Sequence, residues 1–394
     1  MLKHMFKLVW NKKKSNALLI LEIFISFLVL FAVVSFGTYY LTNYQQPLGF
    51  SYKNVIVVNT DNRKSGNDQW SDDQIEMMRQ LGNGIAEFPQ VVSYSSGRNI
   101  PYIQGDYMSN TSINNRTVNF SFDEVTDGFD EVMNIPIHEG RWFNASDDAD
   151  TVHRAVVITE NLSRAVFGDS SAVGRLIDDN NYKIVGVVSA YKKKGEFADN
   201  LNFMFKRVSL TGNRNRPPDS FVIKLADGTP IEFEEQLVRK LQSIAKDWII
   251  EAEWMTDMRD NNTKTTMIPV YILGTIALFL ILMVTLGLLG VLWQNVTRRT
   301  SEIGLRRAMG ATVGKIHYQI IGELLFVASL GILIALLLII QIPILGIMPF
   351  LSTTVITISI AVSCVVIFGM VFLSSWYPSH IATSIAPVDA LRFE

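Results

Sequence analysis

Gly310-Ala311-Thr312-Val313-Gly314-Lys315 is the stretch of this sequence nearest in type to a phosphate-binding loop. Such a loop needs four residues between its glycines, and a Ser or Thr after the lysine to hold magnesium. Here three residues intervene and Ile316 follows Lys315, so nucleotide chemistry is not expected at this position. Asp72/Asp73 and Asp147/Asp148 place carboxylates side by side. Adjacent residues do not face one another, and solvated turns account for both pairs. The five histidines, His4, His138, His153, His317 and His380, show no metal-ligand spacing. The single cysteine, Cys364, lies in an apolar run and excludes a disulfide within the chain. No G-x-S-x-G or H-E-x-x-H pattern occurs. The sequence therefore reads as a non-enzyme with no cofactor or metal of its own.

A different chemistry is concentrated just upstream, in Arg298–Ala311. Arg298, Arg299, Arg306 and Arg307 stand there against one acid, Glu302. Taken as a helix, Leu305, Ala308 and Met309 share one face, and Arg299, Glu302 and Arg306 another. Glu302 precedes Arg306 by four residues, the favourable order for a helical ion pair. A short, charged, two-faced piece of this kind suits gripping another protein. The same charges would also serve as a plain topology signal beside a membrane, and the stretch alone does not decide between these readings.

The flanking segments put that piece at a membrane surface. Residues 17–41 form an apolar segment whose single charge is Glu22, preceded by Lys3, Lys7, Lys12, Lys13 and Lys14. Signal-peptide cores are shorter, about 7–15 residues, so a retained anchor is expected. Glu22 is either a functional intramembrane acid or an interfacial one at a frayed helix end. Residues 1–16 alternate apolar residues with lysines, the pattern of an amphipathic helix on the inner leaflet. No charge occurs between Lys264 and Arg298; at about 1.5 Å per residue that gap outruns a ~30 Å hydrocarbon core. None occurs between Glu323 and Asp389 either, a length that holds two helices, with Pro343 and Pro349 marking the hairpin.

Spans are expected at 17–41, 268–293, 318–341 and 354–377. They are joined by a 294–317 loop and a 342–353 hairpin, with a 378–394 tail. Gly331 and Ala335 offer a small-xxx-small contact. Basic residues belong on the cytoplasmic side. Four spans then put both termini and the 294–317 loop inside, and residues 42–267 outside.

The 42–267 body holds 24 Lys/Arg and 32 Asp/Glu of the chain's 35 and 37, a net charge of 24 − 32 = −8. That balance suits a soluble domain, and nucleic acid is not an expected partner. Strands are expected at 54–59, 91–95, 221–225 and 248–254, and helices at 71–88 and 231–245. This repeated β-α-β order predicts a mixed sheet with helices on one face. A β-rich middle, with strands at 118–122, 155–159 and 183–188, reads as a second lobe inserted into the first. The fold class is thus an integral membrane α-helical protein with four transmembrane helices, plus an α+β extracytoplasmic domain of two lobes.

RRTSEIGLRRAMGA followed by an apolar helix resembles the signature of the FtsX-like permease domain of ABC transporters. The tail from Tyr377-Pro378 to Ala386-Pro387-Val388-Asp389-Ala390-Leu391-Arg392 resembles that family's closing motif, except that Ser379-His380-Ile381-Ala382 replaces the usual arginines. In the body, four stretches resemble the MacB-type periplasmic core domain: Gly140-Arg141-Trp142-Phe143, Val156 to Gly168, Val173-Gly174-Arg175 and Val185-Gly186-Val187-Val188.

The resemblance implies the permease subunit of a type VII-like ABC transporter in a bacterial inner membrane. It implies pairing with a second permease copy or paralogue, and with a separate cytoplasmic ATPase that binds the ATP and magnesium. A membrane-fusion protein or other periplasmic partner, and membrane lipid, are further implied contacts. ATPase motion would reach the outer domain through Arg298, Arg299, Glu302, Ile303, Leu305, Arg306, Arg307 and Met309. The competing reading is an ATP-independent membrane-anchored sensor or assembly scaffold. Drug or peptide export, lipoprotein release and control of cell-wall hydrolases all occur as outputs in this family.

Overall fold

The structure is a computed structural model that describes residues 13–61, 71–103, 105–113, 116–178, 181–208, 218–298, 305, 309, 312–348 and 351–384. The expected amphipathic helix at 1–16 lies almost wholly outside these residues. The chain divides into two compact units, Asn43–Thr266 and the pairing of Met1–Thr42 with Met267–Glu394.

The Asn43–Thr266 body is built on β1 (Val55–Asp61), α2 (Asp72–Ala86) and β2 (Val91–Gly97) at one end of the sequence. The other end supplies β10 (Ser220–Leu225), α5 (Phe233–Ile244) and β11 (Ile249–Trp254). The strands interleave in the order β11-β1-β10-β2, the arrangement of split β-α-β units. β1 is antiparallel to both β10 and β11. Ser71 caps α2 through a reciprocal capping box with Gln74, satisfying two donors that the helix start would otherwise leave open.

β1 has no polar face, because both faces are covered. Ile56 and Val58 pack with Phe221, Ile223, Met78, Leu81, Phe233 and Leu237. Val55 and Val57 join Val222, Phe129, Met133, Phe203, Phe205 and Met255 on the other side. Helices on one face were expected. α2 and α5 do lie on one face, but the opposite face is closed too, by the short α3 (Phe129–Met133) and aromatic residues of the middle segment. Each such fully buried aliphatic or aromatic side chain contributes about 1.5–3 kcal/mol.

The middle segment forms the second lobe. It contains β3 (Tyr107–Ile113), β4 (Arg116–Val125), β5 (Ile137–Gly140), β6 (Arg154–Thr159), α4 (Glu160–Phe167), β7 (Leu176–Ile177), β8 (Tyr182–Val188) and β9 (Phe203–Arg207). It continues the same sheet as β4-β9-β6-β8-β5, with β3 on β4 and β7 on β8. Its outer face packs Val156, Ile158, Leu162, Ile184 and Met204. The two lobes therefore share one sheet, and a single backbone pair, Gly97 with Val125, joins β2 to β4.

The second unit is helical: it holds α1 (Lys13–Tyr44) as far as Thr42, α6 (Met255–Arg298) from Met267 onward, α7 (Val313–Ile339), α8 (Gln341–Leu345) and α9 (Thr353–Ser384), while Asn43–Tyr44 and Met255–Thr266 belong to the body. Four stretches are long and apolar enough to cross a membrane: Ala17–Tyr44, Met255–Gly287, Gly314–Leu345 and Thr353–Trp376. α6 has 44 residues, about 66 Å of helix against a ~30 Å hydrocarbon core. It begins well before the expected start at 268, because the polar turns from Asp257 to Thr266 continue the helix.

The bundle core joins Leu19, Ile23 and Phe27 of α1 to Val327, Ala328, Ile332 and Ala335 of α7 and to Val355, Ile367 and Val371 of α9. Gly331 sits where a Cβ would lie 3.0 Å from the Ile20 carbonyl oxygen, so α1 and α7 approach closely at the small-residue step. Pro343, expected to break the chain, lies inside the one-turn α8 that ends at Gly346 in the left-handed region (φ 62°).

Candidate coupling site

The residues expected to meet an ATPase lie between α6 and α7. α6 ends at Arg298. Arg299, Glu302, Ile303, Arg306 and Arg307 lie outside the described residues, as does the side chain of Arg298. Leu305 and Met309 are described. Both are exposed, and the Met309 N–H donates to the Leu305 carbonyl at 3.0 Å, closing one helical turn. That turn puts their side chains on neighbouring positions of one face.

The failed phosphate loop resolves into a helix start. Thr312 is the N-cap residue of α7, with extended φ −73° and ψ 149°. The N–H groups of Lys315 and Ile316 donate to its carbonyl. Gly314 and Lys315 thus occupy the first turn of a span.

In the bundle, Glu22 of α1 lies against α6. A Cβ at Gly287 would stand 2.9 Å from the Glu22 carboxylate oxygen, so the glycine makes room for the acid. Glu22 therefore faces a partner helix, although the charge pattern allowed it to be an interfacial residue.

Within the body, a second arrangement stands out that sequence reasoning passed over. The segment after β8 reads Tyr191-Lys192-Lys193-Lys194-Gly195-Glu196-Phe197. Three consecutive lysines suggest a solvated surface, yet Lys192 and Lys193 are each only 1% exposed. The Lys192 ammonium donates to the Asn43 carbonyl at 2.5 Å. The Asn43 side-chain amide donates in turn to the Phe197 carbonyl at 3.1 Å and to Asp199 at 3.2 Å. The Tyr44 ring stacks on Phe197 at 5.6 Å between centroids. From the other side, the Asn262 side-chain amide donates to the Lys194 carbonyl at 2.9 Å. Arg259 pairs with Glu196 and lies 4.7 Å over the Tyr52 ring. The last residues of α1 and the first turns of α6 therefore grip the same seven-residue loop.

Charge and backbone fix this grip. Burial lowers the pKa values of Lys192 and Lys193. Lys193 is held by the Gly105 carbonyl and by Asp106 at 3.0 Å. Burial alone would raise the Asp106 carboxyl, but Lys194 and Lys193 hold it below its usual value. Gly195 has φ +96°, and a Cβ there would stand 2.7 Å from the Asn262 amide. Only glycine suits that position. Buried Tyr102 is also in the left-handed region, at φ 66°, where its N–H donates to the Lys193 carbonyl at 3.0 Å. Such strain persists where its surroundings over-determine it.

Arg207 bridges Asp127 and Asp148, and Arg141 pairs bidentately with Asp147. The Asp147/Asp148 pair thus turns away from itself toward two different arginines. Among the described residues, no cluster of His, Cys, Asp and Glu has metal-binding form.

Comparison with known proteins agrees with this architecture. A MacB-like periplasmic core domain model matches residues 17–240, and an FtsX-like permease C-terminal model matches residues 274–387. The chain is 28% identical over 285 residues to the pyoverdine export ATP-binding/permease protein PvdT of Pseudomonas aeruginosa, covering 67% of this chain and 41% of that protein. It is 25% identical over 351 residues to the macrolide export ATP-binding/permease protein MacB of Wolinella succinogenes, covering 82% and 49%. The chain thus spans about half the length of the curated relatives it matches. Among solved structures, the periplasmic region of MacB from Actinobacillus actinomycetemcomitans is similar at 16% identity, 53% coverage of this chain, 92% of that one, and a TM-score of 0.38.

Proposed function

The chain belongs to the MacB/FtsX-type family of ABC-transporter permeases, and from that premise we propose that it turns the motion of a cytoplasmic ATPase into a conformational change of its outer domain. The ATPase docks on Arg298–Met309 and supplies the ATP and magnesium site. Its closure moves the start of α7 and the end of α6. The displacement passes along α6 and α1 to the 191–197 loop, and from there to the sheet. Export or extraction of a substrate on the outer side is the output, in a bacterial inner membrane with both termini inside and a second permease copy or paralogue alongside.

The grip of α1 and α6 on one loop carries this reading. Rigid helices transmit displacement only where their ends are fastened; here the α1 end is held by a buried hydrogen bond, and the α6 start by an exposed hydrogen bond and an ion pair. A tethered sensor needs no such fastening.

Reversing Arg306 and Arg307 to Glu tests the docking role. The double variant inserts normally but weakens ATPase association by about 3 kcal/mol, roughly a hundredfold. Pull-down of the ATPase from nanodiscs measures this. Unchanged association would remove the docking role.

A further inference from the structure

The two lobes of the body share a sheet and one buried core cluster, but the strand ladder that joins them is narrow. β3 occupies the edge of β4 from Arg116 to Phe122. That leaves only the far end of this edge for β2, and the ladder there is the single pair Gly97–Val125. Hydrogen bonds and an ion pair flank that single pair. The Thr126 N–H donates to the Ser96 carbonyl at 2.9 Å, and the Arg98 N–H to the Glu124 carbonyl at 3.2 Å. The Ser96 N–H reaches the Thr126 hydroxyl at 2.9 Å, and Arg98 pairs with Glu124 at 2.6 Å.

Asp123 stands at the centre of this seam and is fully buried. One carboxylate oxygen accepts from the N–H groups of Asn99 at 2.8 Å and Arg98 at 3.2 Å, so β4 is tied to the chain leaving β2. The other oxygen has no hydrogen-bond partner among the described residues, and neither does the buried hydroxyl of Tyr191. A Cβ at Gly97 would lie 3.4 Å from that free oxygen and 3.2 Å from Phe129, so the pocket around it is tight and largely apolar.

Groups on several elements act on the carboxyl. Burial favours the neutral form, while the N–H groups of Asn99, Glu124 and Arg98 and the charge of Lys193, from the loop after β8, favour the charged form; Tyr191 is the phenol whose ionisation it opposes. The Arg98 guanidinium is engaged with Glu124. Ile100, Phe129 and the β9 register partner Phe205 present only apolar atoms. An ionised carboxylate here has one oxygen with no donor, which is costly in such surroundings. A neutral carboxyl keeps both N–H bonds and loses that cost.

We propose that Asp123 is a proton-operated latch between the two lobes, closing the seam when neutral and loosening it when ionised. Burial raises its carboxyl to about 7, which places the change near neutrality. The inference goes beyond the ATPase-coupled reading and does not depend on it. Lys193, whose ammonium is bonded to Gly105 and Asp106, acts on this carboxyl through its charge alone, and it lies in the 191–197 loop held by Asn43, Arg259 and Asn262.

In the open seam Asp123 ionises at its ordinary value, near 3.9, while in the closed seam it holds its proton up to about 7. Closure is therefore favoured most at low pH. It weakens as pH rises through this window, by up to tenfold per pH unit, and levels off above about 7.

Hydrogen exchange on the full chain in nanodiscs, corrected for the intrinsic pH dependence of amide exchange, reads this out. Protection of Ser96–Asn99 and Val125–Thr126 should fall by roughly tenfold per pH unit between pH 5 and 7, then flatten. Asp123→Asn, which keeps the acceptor oxygen and cannot ionise, should show a flat profile at high protection. A flat wild-type profile, or the same slope in Asp123→Asn, would overturn the latch. The infrared band of a buried protonated carboxyl in the wild-type protein gives a check independent of the variant's folding. It should disappear on titration near neutrality, and its absence at pH 5 would equally overturn the proposal. Neither measurement involves an ATPase, so the outcome is separable from that of the docking test.

Discussion

Three adjacent lysines after β8 have three different environments. Lys192 and Lys193 are buried on carbonyl and carboxylate oxygens, while the Lys194 side chain is 54% exposed and pairs with Asp106 at its rim. Lys193→Met preserves the length and packing of the side chain but leaves the Gly105 carbonyl and Asp106 short of a donor. We expect a loss of about 2–3 kcal/mol in the body's stability. Lys194→Met should cost less than about 1 kcal/mol, as a solvated pair does. Denaturant unfolding of the two variants measures the contrast, and equal losses would mean that burial of the first ammonium has no energetic consequence. A run of lysines carries no sequence signal that separates a buried amine from a solvated one. Burial here depends on carbonyls from Asn43 and Gly105, 149 and 88 residues away in sequence. The one local cue was Gly195, which breaks the run where the Asn262 amide approaches.

At the level of elements, local pattern served well where one period dominated. The strand expected at 54–59 is β1, and the helix expected at 71–88 is α2 with its Ser71 cap. The strands β3, β5, β7 and β9 were not expected. β7 has two residues, too few for alternation to register. Residues 203–207 are Phe-Met-Phe-Lys-Arg, an apolar run ending in charges that shows no period of two. In the bundle, the small-residue step at Gly331 was legible, because close helix approach needs a missing side chain. Its consequence is measurable. Gly331→Leu forces side-chain atoms toward the Ile20 carbonyl and Ile23 and should destabilise the bundle by about 1–3 kcal/mol. Gly369→Leu, where nothing lies within 4 Å of an added Cβ, should be nearly neutral. Unfolding in mixed micelles compares the two; equal stability would mean that α1 and α7 do not touch there.

For the molecule as a whole, charge segregation gave the plan: an acidic body of 224 residues between apolar segments with basic flanks. Pairing of strands across the inserted lobe was not legible, since β2 meets β4 and β10 by contacts that no local period encodes. The sharing of one sheet between two lobes, and hence the narrow seam at Gly97–Val125, emerged only from the fold. The charged piece at 298–309 was evident from composition, whereas the buried loop at 191–197 was not. In the coupling we propose, force applied at the first arrives at the second. Hydrogen exchange of residues 191–197 in the ATPase-bound complex in nanodiscs, with and without trapped ATP, tests it most directly. ATP should change the protection of this loop, and Arg306→Glu with Arg307→Glu should abolish the change. Identical exchange with and without nucleotide, in a complex that hydrolyses ATP, would contradict it.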